Sequence, residues 1–194
     1  MIVYLHGFRS SPQSYKAQLL AARMAQLGRG PEYLCPQLPV SPADAMALAQ
    51  KLTRNLDPQQ LTLFGSSLGG YYATWLAEQL GCRAVMLNPA MRAFEKLQSQ
   101  VGPQTMYHGG GEPFEFKAAY LEELRAMQVA TITRPERYFL VAATGDELLD
   151  WREMTAAFPA ARHKVIQGSD HGLSDFAEYM DETLAFAGVV PVAP

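Results

Sequence analysis

The sequence predicts an α/β fold in which a mostly parallel sheet of about six strands is covered by helices on both faces. Short apolar runs alternate with longer segments of helical periodicity, as in parallel sheets with helical crossovers. Most of these runs are continuous rather than alternating, which is typical of strands buried on both faces. The chain has 194 residues, 48% of them hydrophobic and 18% charged. This is enough apolar material for the core of one domain, which we expect to span residues 1–194.

Six apolar runs are the predicted strands, and the first of them begins at the second residue of the chain. In chain order they are residues 2–5, 32–35, 61–64, 84–87, 138–142 and 164–166. Because parallel neighbours are joined by crossovers, we expect helices between most of these strands.

Capping residues mark the ends of the predicted helices. A Ser-Pro pair supplies a side-chain acceptor and a proline suited to the first turn, and a glycine favours the left-handed conformation that ends a helix. These signals and the apolar spacing predict four helices: from Ser11-Pro12 to Gly28, from Ser41-Pro42 to Leu56, from Leu68 to Leu80, and one through Phe176, Tyr179, Met180 and Leu184.

Residues 91–135 depart from this pattern. They place 45 residues between two predicted strands, where a plain crossover needs about a dozen. The segment contains a turn of His108 followed by three glycines, and a helical pattern that includes Tyr120 and Leu124. We interpret it as a crossover with a small lid insertion. Two ordinary helices joined by a loop are an equally good interpretation.

A predicted strand joins a predicted helix through Gly65, Ser67 and Gly69. This Gly-x-Ser-x-Gly pattern has the spacing of a nucleophile elbow. In such a turn, side chains at the two glycine positions would collide with the neighbouring strand or helix, and the serine backbone is strained so that its hydroxyl projects outward. The spacing predicts Ser67 as a nucleophile.

A serine hydroxyl is a weak nucleophile unless a base and an acid reach the same place. Asp146 follows the strand predicted at 138–142, and His171 follows the strand at 164–166. The carboxyl ends of parallel strands lie at one edge of a sheet, where open α/β sheets bind their ligands. The order serine, aspartate, histidine also occurs in one class of serine hydrolases and differs from that of chymotrypsin and subtilisin. We therefore predict Ser67, Asp146 and His171 as a catalytic triad.

Other carboxylates compete with Asp146 for the role of the acid. Glu147 and Asp150 lie in the same loop, and Asp170 is adjacent to His171. An adjacent residue seldom reaches the Nδ1 of its neighbour, which favours Asp146. Asp146 could alternatively cap the helix that follows it.

His171 could alternatively cap the last helix instead of serving as the base. The other three histidines lie at a strand end, in the glycine-rich turn and beside a strand start: His6, His108 and His163. None has metal-ligand spacing with another, and the two cysteines form no CxxC pair. We therefore expect no metal site.

An oxyanion hole in this arrangement uses the N–H after the nucleophile and an N–H from the loop after an early strand. The first position is Leu68, and the second is Phe8, with Gly7 as its alternative. Each donor is expected to lower the barrier by about 2.7–4 kcal/mol. His6 and Gly7 could alternatively form a plain turn that ends the first strand.

At these residues the chain resembles the YqiA-like esterases, a family of small bacterial α/β hydrolases. The resemblance spans nearly the whole chain and is carried by YLHGF at 4–8 with SSP at 10–12, GSSLGGYYAT at 65–74, TGDELLD at 144–150 and GSDH at 168–171. It implies a trimmed α/β-hydrolase fold that lacks the leading strand pair of larger members. It also implies cofactor-free hydrolysis of carboxylic esters, or of acyl thioesters such as acyl-CoA, by Ser67, Asp146 and His171.

Several loop residues are candidates for substrate contacts. The apolar candidates for an acyl pocket, which in such positions are more often core, are Phe8, Met91, Phe114, Phe116, Leu148 and Trp151. Arg9 and Lys16 could attract a coenzyme A phosphate, although such charges are more often simply solvated.

Charge and hydropathy exclude other classes of partner. The formal charge of −3 argues against a nucleic-acid surface. No run approaches the roughly 18 apolar residues of a membrane span, and the N-terminus lacks the features of a secretory signal, so we expect a cytoplasmic protein. The alternative function is that of a non-catalytic, ligand-binding protein with the same fold, because a fold does not determine function.

Overall fold

The computed structural model describes residues 1–107 and 111–190 and confirms the predicted α/β architecture. The eight strands of these residues are β1 (Ile2–Leu5), β2 (Tyr33–Leu34), β3 (Thr62–Ser66), β4 (Arg83–Leu87), β5 (Gly102–Thr105), β6 (Pro113–Phe116), β7 (Tyr138–Ala143) and β8 (Arg162–Ile166). Six of them form one sheet in the order β2-β1-β3-β4-β7-β8, with every neighbouring pair parallel. They correspond to the six strands that the sequence predicts, with shifts of one or two residues at their ends.

Seven α-helices lie in the described residues. They are α1 (Tyr15–Gln26), α2 (Pro42–Thr53), α3 (Leu68–Leu80), α4 (Ala93–Lys96), α5 (Ala119–Ala126), α6 (Trp151–Ala157) and α7 (Met180–Phe186). Across residues 1–107 and 111–190, no helix combines the length and the apolarity that a membrane crossing requires.

Both faces of the sheet are buried, which explains why the strands read as continuous apolar runs. In β1, Val3 and Leu5 pack with α2, α3, α5 and α6 on one face. Ile2 and Tyr4 point to the other face and pack with α1 and α7. Successive side chains of a strand alternate between faces, so a strand covered on both sides needs apolar residues at every position.

The two Ser-Pro pairs behave differently. Ser41 caps α2 by accepting a hydrogen bond from the Asp44 N–H at 3.2 Å, as predicted, although α2 ends at Thr53 rather than at Leu56. The prediction that the first helix begins at Ser11-Pro12 is wrong, because α1 begins at Tyr15. Ser11 instead forms the preceding turn, in which its Oγ accepts from the Gln13 N–H at 3.1 Å. A Ser-Pro pair suits the start of a turn as well as that of a helix.

The segment 91–135 contains α4, an antiparallel pair of strands and α5. The pair, β5 and β6, aligns Gly102 with Phe116 and Thr105 with Pro113. The sequence predicts the helical pattern of α5 but not this hairpin, because its strands have only four residues each and both contain a proline. Of the predicted glycine-rich turn, His108 and the two glycines after it lie outside the described residues.

The strand order brings the loops after all six strands to one edge of the sheet. The loop after β2 is followed by the loop after β1, the turn after β3 and the loops after β4, β7 and β8. These are the carboxyl ends of parallel strands, where the sequence places the functional residues.

Candidate active site

Ser67 lies in a tight turn between β3 and α3. Its φ of 55° and ψ of −120° are rare for a residue with a side chain. A Cβ on Gly65 would lie 2.2 Å from the Gly69 carbonyl oxygen, and a Cβ on Gly69 would lie 1.9 Å from the Leu5 carbonyl oxygen. Both glycines are therefore required by close backbone contacts, as the elbow pattern predicts.

The structure brings the side chains of Ser67, His171 and Asp146 together in one chain of hydrogen bonds. The Oγ of Ser67 lies 3.0 Å from Nε2 of His171, and Nδ1 of His171 lies 2.8 Å from Oδ2 of Asp146. The side chain of Asp146 is fully buried, whereas that of His171 is 17% exposed. A buried carboxylate on Nδ1 places the ring proton there and leaves Nε2 free to accept from the serine.

The second oxygen of Asp146 is also bound. Oδ1 accepts hydrogen bonds from the N–H groups of Leu148 and Leu149, each at 2.8 Å. These two donors hold the carboxylate plane, so Oδ2 remains directed at the histidine. The competing Asp150 caps α6 instead, through a hydrogen bond from the Arg152 N–H at 2.9 Å.

The other two competing carboxylates hold the histidine loop rather than the imidazole ring. Glu147 Oε2 accepts from the backbone N–H of His171 at 2.9 Å. Asp170 Oδ1 accepts from the Ser174 N–H at 3.0 Å, and hydrogen bonding by that N–H lowers the pKa of the Asp170 carboxyl. The acid position is thus occupied by Asp146, and His171 does not cap the last helix.

Asn88, at the end of β4, holds the loops of the acid and the base together. Its side chain is completely buried. Its Nδ2 donates to the carbonyls of Asp170 at 3.0 Å and His171 at 3.2 Å, and its Oδ1 accepts from the Ala143 N–H at 2.8 Å. The sequence motifs do not indicate Asn88, although a polar residue shortly after a buried strand is the kind of signal that indicates Asp146.

Lys16 holds the histidine loop from the opposite side. The residue is buried in α1, and its ammonium group donates a hydrogen bond to the Gly172 carbonyl. Burial lowers the pKa of Lys16 to about 8, and the nearby charges of Asp170 and Asp146 partly offset this effect. From the sequence we expect the Lys16 side chain to be a solvated charge. The sequence of a surface helix does not show whether a distant loop covers one of its lysine side chains.

The loop after β1 is organised by His6. The Leu38 N–H donates to Nε2 of His6 at 3.0 Å, which leaves the ring proton on Nδ1, 3.0 Å from the Gly7 carbonyl oxygen. The Gly7–Phe8 peptide is trans, so its N–H points away from the carbonyl that His6 binds. A Cβ on Gly7 would lie 3.3 Å from Cβ of Ser67. The peptide that carries the predicted Phe8 donor therefore lies directly beside the predicted nucleophile.

A cavity of about 30 Å³ opens next to this loop. Phe8 and Leu68, which carry the two predicted oxyanion donors, belong to its lining. The remaining lining residues come from the loops after β1 and β2, from α3 and from the insert: His6, Gly7, Arg9, Ser10, Leu38, Pro39, Val40, Tyr72, Met106 and Phe114. The walls are thus mainly apolar, with polar groups concentrated near the loop after β1.

Two of the six apolar residues considered for an acyl pocket line this cavity, namely Phe8 and Phe114. Phe116 is buried in the core, and Met91 lines a second, smaller cavity beside α3. Leu148 is 65% exposed, and Trp151 packs against the core.

The two predicted cations are both engaged within the chain. Arg9 binds Thr105 through Nε and Nη2, and Lys16 binds the histidine loop. His163 Nε2 lies 2.6 Å from the Phe158 carbonyl oxygen. In the described ranges, no three His, Cys, Asp or Glu side chains are grouped so that they could hold a metal ion.

Three solved structures of other proteins are similar to this chain. A protein from Agrobacterium vitis S4 aligns with a TM-score of 0.75 and 18% identity, covering 96% of this chain and 87% of that one. Alpha/beta hydrolase domain-containing protein 10 from mouse gives a TM-score of 0.69 and 14% identity, with 94% and 88% covered. The esterase domain of a Rhodothermus marinus protein gives a TM-score of 0.67 and 22% identity, with 95% and 85% covered. At these identities the similarity shows the fold, which is that of the α/β hydrolases.

A family model agrees with the motifs and with the fold. The model described as uncharacterised protein family UPF0227 matches residues 1–188, which is nearly the whole chain. This is the YqiA-like family that the four sequence motifs resemble. The chain therefore belongs to UPF0227, the YqiA-like family, and it has the fold of the α/β hydrolases.

Proposed function

We propose that this protein is a serine hydrolase that cleaves carboxylic esters, or acyl thioesters such as acyl-CoA, through an acyl-enzyme on Ser67. The observation that carries the proposal is the unbroken hydrogen-bond chain from Ser67 through His171 to the buried Asp146. The similarity in fold to an esterase domain and to other α/β hydrolases supports the same reaction class. No cofactor is needed for this chemistry, because the chain provides the nucleophile, the base and the acid.

The acylation step follows from the positions of these atoms. His171 Nε2 takes the proton of Ser67 Oγ as the oxygen attacks the acyl carbonyl. Asp146 holds the Nδ1–H tautomer and stabilises the imidazolium that forms. The negative oxygen of the tetrahedral intermediate is stabilised by the N–H groups of Leu68 and Phe8. His171 then returns the proton to the leaving alcohol or thiol, and the acyl group stays on Ser67.

Deacylation repeats these steps with water as the nucleophile. His171 removes a proton from water, the resulting hydroxide attacks the acyl-enzyme, and the same two N–H groups stabilise the second oxyanion. Ser67 recovers its proton from the histidine when the carboxylic acid leaves. The cycle returns each residue to its starting state.

The cavity indicates the kind of acyl group. Its apolar walls favour a hydrocarbon chain over a charged group. We infer that the acyl chain enters this cavity, which Phe8 and Leu68 line beside the proposed oxyanion donors.

The central experiment compares the wild type with Ser67→Ala on a chain-length panel of p-nitrophenyl esters and acyl-CoA thioesters. We expect kcat to fall by at least about 10³-fold with an unchanged melting temperature. Covalent labelling by a fluorophosphonate should be lost in the same variant. Ser99→Ala, an exposed serine in the insert, is the matched control and should keep both activity and labelling.

Two results would contradict the proposal. One is a folded Ser67→Ala variant with wild-type turnover, which would place the nucleophile elsewhere. The other is a folded wild type that hydrolyses no member of the panel and is not labelled. That second result would favour a non-catalytic protein that binds a ligand in the cavity.

A further inference from the structure

Arg9, the second residue after Gly7, has a strained backbone. Its φ is +59°, in the left-handed region that a non-glycine residue adopts only when its surroundings impose it. Arg9 directly follows Phe8, whose N–H is the proposed oxyanion donor. The conformation of Arg9 therefore determines the direction of the backbone directly after Phe8.

Among the described residues, Arg9 is held by Thr105, at the end of β5, and by Tyr107, two residues later. The Tyr107 N–H donates to the Arg9 carbonyl at 2.7 Å. Nε of Arg9 donates to the Thr105 carbonyl at 2.6 Å, and Nη2 donates to Thr105 Oγ1 at 3.1 Å. The guanidinium also lies over the Tyr107 ring, 4.3 Å from its centroid. The backbone and the side chain of Arg9 are thus both bound at the end of β5, where Thr105 lies 96 positions away in the sequence.

The side chain of Phe8 is held by β6, which pairs with β5. Its ring meets those of Phe116 and Phe114 edge to face, with centroid distances of 5.0 Å and 6.0 Å. Phe116 is 1% exposed, so this contact connects the loop to the hydrophobic core. Such aromatic pairs favour one relative orientation.

The Gly7–Phe8 peptide is therefore fixed from two sides. On one side, His6 and the Ser10 N–H bind the Gly7 carbonyl, at 3.0 Å and 3.3 Å. On the other side, the hairpin holds Phe8 and Arg9. The direction of the Phe8 N–H depends on both, because a planar peptide rotates as a unit.

We propose that Arg9 is a positioning residue through which the β5–β6 hairpin aligns the Phe8 N–H with the oxyanion. This inference rests on the proposed serine hydrolase function. The insert then contributes to the reaction itself, because a displacement of the hairpin weakens stabilisation of the transition state. Arg9 acts through Phe8 and does not contact the reacting atoms.

The first test separates kcat from KM on a neutral short-chain ester. We expect Arg9→Gln to lower kcat about tenfold, which is less than the loss of a whole oxyanion donor, and to change KM less than twofold. Arg9→Lys should recover part of kcat, because an ammonium can reach the Thr105 carbonyl but lacks the second donor of the fork. Arg92→Gln removes another arginine of the insert, one paired with glutamates on the surface, and should leave both constants unchanged.

A second variant separates backbone conformation from anchoring. Arg9→Gly accommodates the positive φ without strain but lacks the contacts with Thr105 and the Tyr107 ring. We expect it to lose kcat as Arg9→Gln does. Wild-type kcat in Arg9→Gly would overturn the proposal. The proposal would also be overturned if Arg9→Gln raised KM for acyl-CoA and left kcat on the neutral ester unchanged. This result would mean that Arg9 attracts the phosphates of the substrate.

Amide hydrogen exchange tests the same coupling without any substrate. The comparison is between Ser67→Ala and the double variant that also carries Arg9→Gln. The double variant should exchange the Ser10 and Tyr107 amides about tenfold faster or more, because these amides donate to the Gly7 and Arg9 carbonyls. The Asp146 loop should be unaffected. Unchanged exchange at Ser10 would overturn the inference whether or not the protein hydrolyses esters. A wild type without esterase activity, combined with faster exchange in the variant, would contradict the proposed function alone.

Discussion

The two sides of the candidate site are attached to different parts of the fold. On one side, Ser67, Asp146 and His171 lie on turns that follow β3, β7 and β8, and the buried side chains of Asn88 and Lys16 hold the histidine loop against the core. On the other side, the loop after β1 and the cavity depend on the insert 91–135. There, side chains make the main contacts between parts of the chain that lie far apart in the sequence.

This difference separates the triad from the part of the site that holds the oxyanion loop and the substrate. The triad side is tied to the buried sheet, so a change there disturbs the core or the reaction itself. The insert side consists of short strands and partly exposed side chains, which tolerate substitution better. We expect variants of the triad to lower kcat for every substrate, and variants of apolar residues in the cavity wall to change which substrate is preferred. On the insert side, Arg9 is the exception, because it holds the oxyanion loop and should affect kcat.

The largest effect is expected at the acid. Asp146→Asn should lower kcat about 10³- to 10⁴-fold, because an amide no longer holds the Nδ1–H tautomer of His171 or stabilises the imidazolium. Glu147→Gln is the matched control, since it changes a carboxylate of the same loop that binds only the histidine backbone. Its effect should stay within a few fold. Equal losses in the two variants, measured by ester turnover, would mean that the acid is wrongly assigned.

A smaller effect on turnover is expected at Asn88, together with a loss of stability. Asn88→Ala removes three side-chain hydrogen bonds and leaves the Ala143 N–H and the Asp170 carbonyl without this partner. The free energy of unfolding should fall by about 2–4 kcal/mol, and kcat should fall about 10- to 100-fold as the histidine loop loosens. Urea unfolding and ester kinetics measure the two effects. Asn55→Ala, on the surface, should change neither, and wild-type kcat in Asn88→Ala would show that the loop is positioned without it.

On the insert side, Met106→Ala should change selectivity more than rate. The truncation enlarges a cavity of about 30 Å³ and should move the optimum of the p-nitrophenyl ester panel to chains longer by about two carbons. Turnover of the acetyl ester should stay within about threefold. Val101→Ala, an exposed residue of the same insert, should leave the optimum unchanged. An unchanged optimum in Met106→Ala would mean that the acyl chain lies elsewhere.

The smallest effect concerns the pH dependence of stability at Lys16. Its pKa is lowered to about 8 in the folded protein from an ordinary value of 10.5, so between these values the unfolded chain binds more protons. This group therefore makes the free energy of unfolding rise with pH above about 8, by at most about 1.4 kcal/mol per pH unit. Lys16→Met should remove that slope in urea unfolding between pH 8 and pH 9.5. The exposed Lys51→Met should keep it, and equal slopes in wild type and Lys16→Met would contradict the prediction.

The motifs after the strands were predictable because they depend on local geometry and one rule of topology. The close contact of Gly65 lies within the turn, that of Gly69 is with the neighbouring strand at Leu5, and parallel strands necessarily end at one edge of the sheet. The spacing of the turn and the rule of topology suffice to predict that Ser67, Asp146 and His171 lie together. Their catalytic role stays a prediction until the variants are measured.

The hairpin and the start of α1 were not predictable in this way. The β5 and β6 strands have four residues each and both contain a proline, and their pairing depends on the partner strand rather than on either sequence alone. The Ser-Pro signal at Ser11 is compatible with a turn and with a helix start. Only the packing around it selects the turn.

Local patterns in the amino-acid sequence thus determine the parallel sheet, the nucleophile elbow and the order of the proposed acid and base. The contacts of Arg9 with Thr105, of Lys16 with the Gly172 carbonyl and of Asn88 with the histidine loop appear only in the folded protein. Each joins residues that are 82 or more positions apart. The sequence does not distinguish a polar side chain that is solvated from one that is buried. Long-range packing removes the buried side chain from water, and its hydrogen-bonding groups must then find partners within the protein.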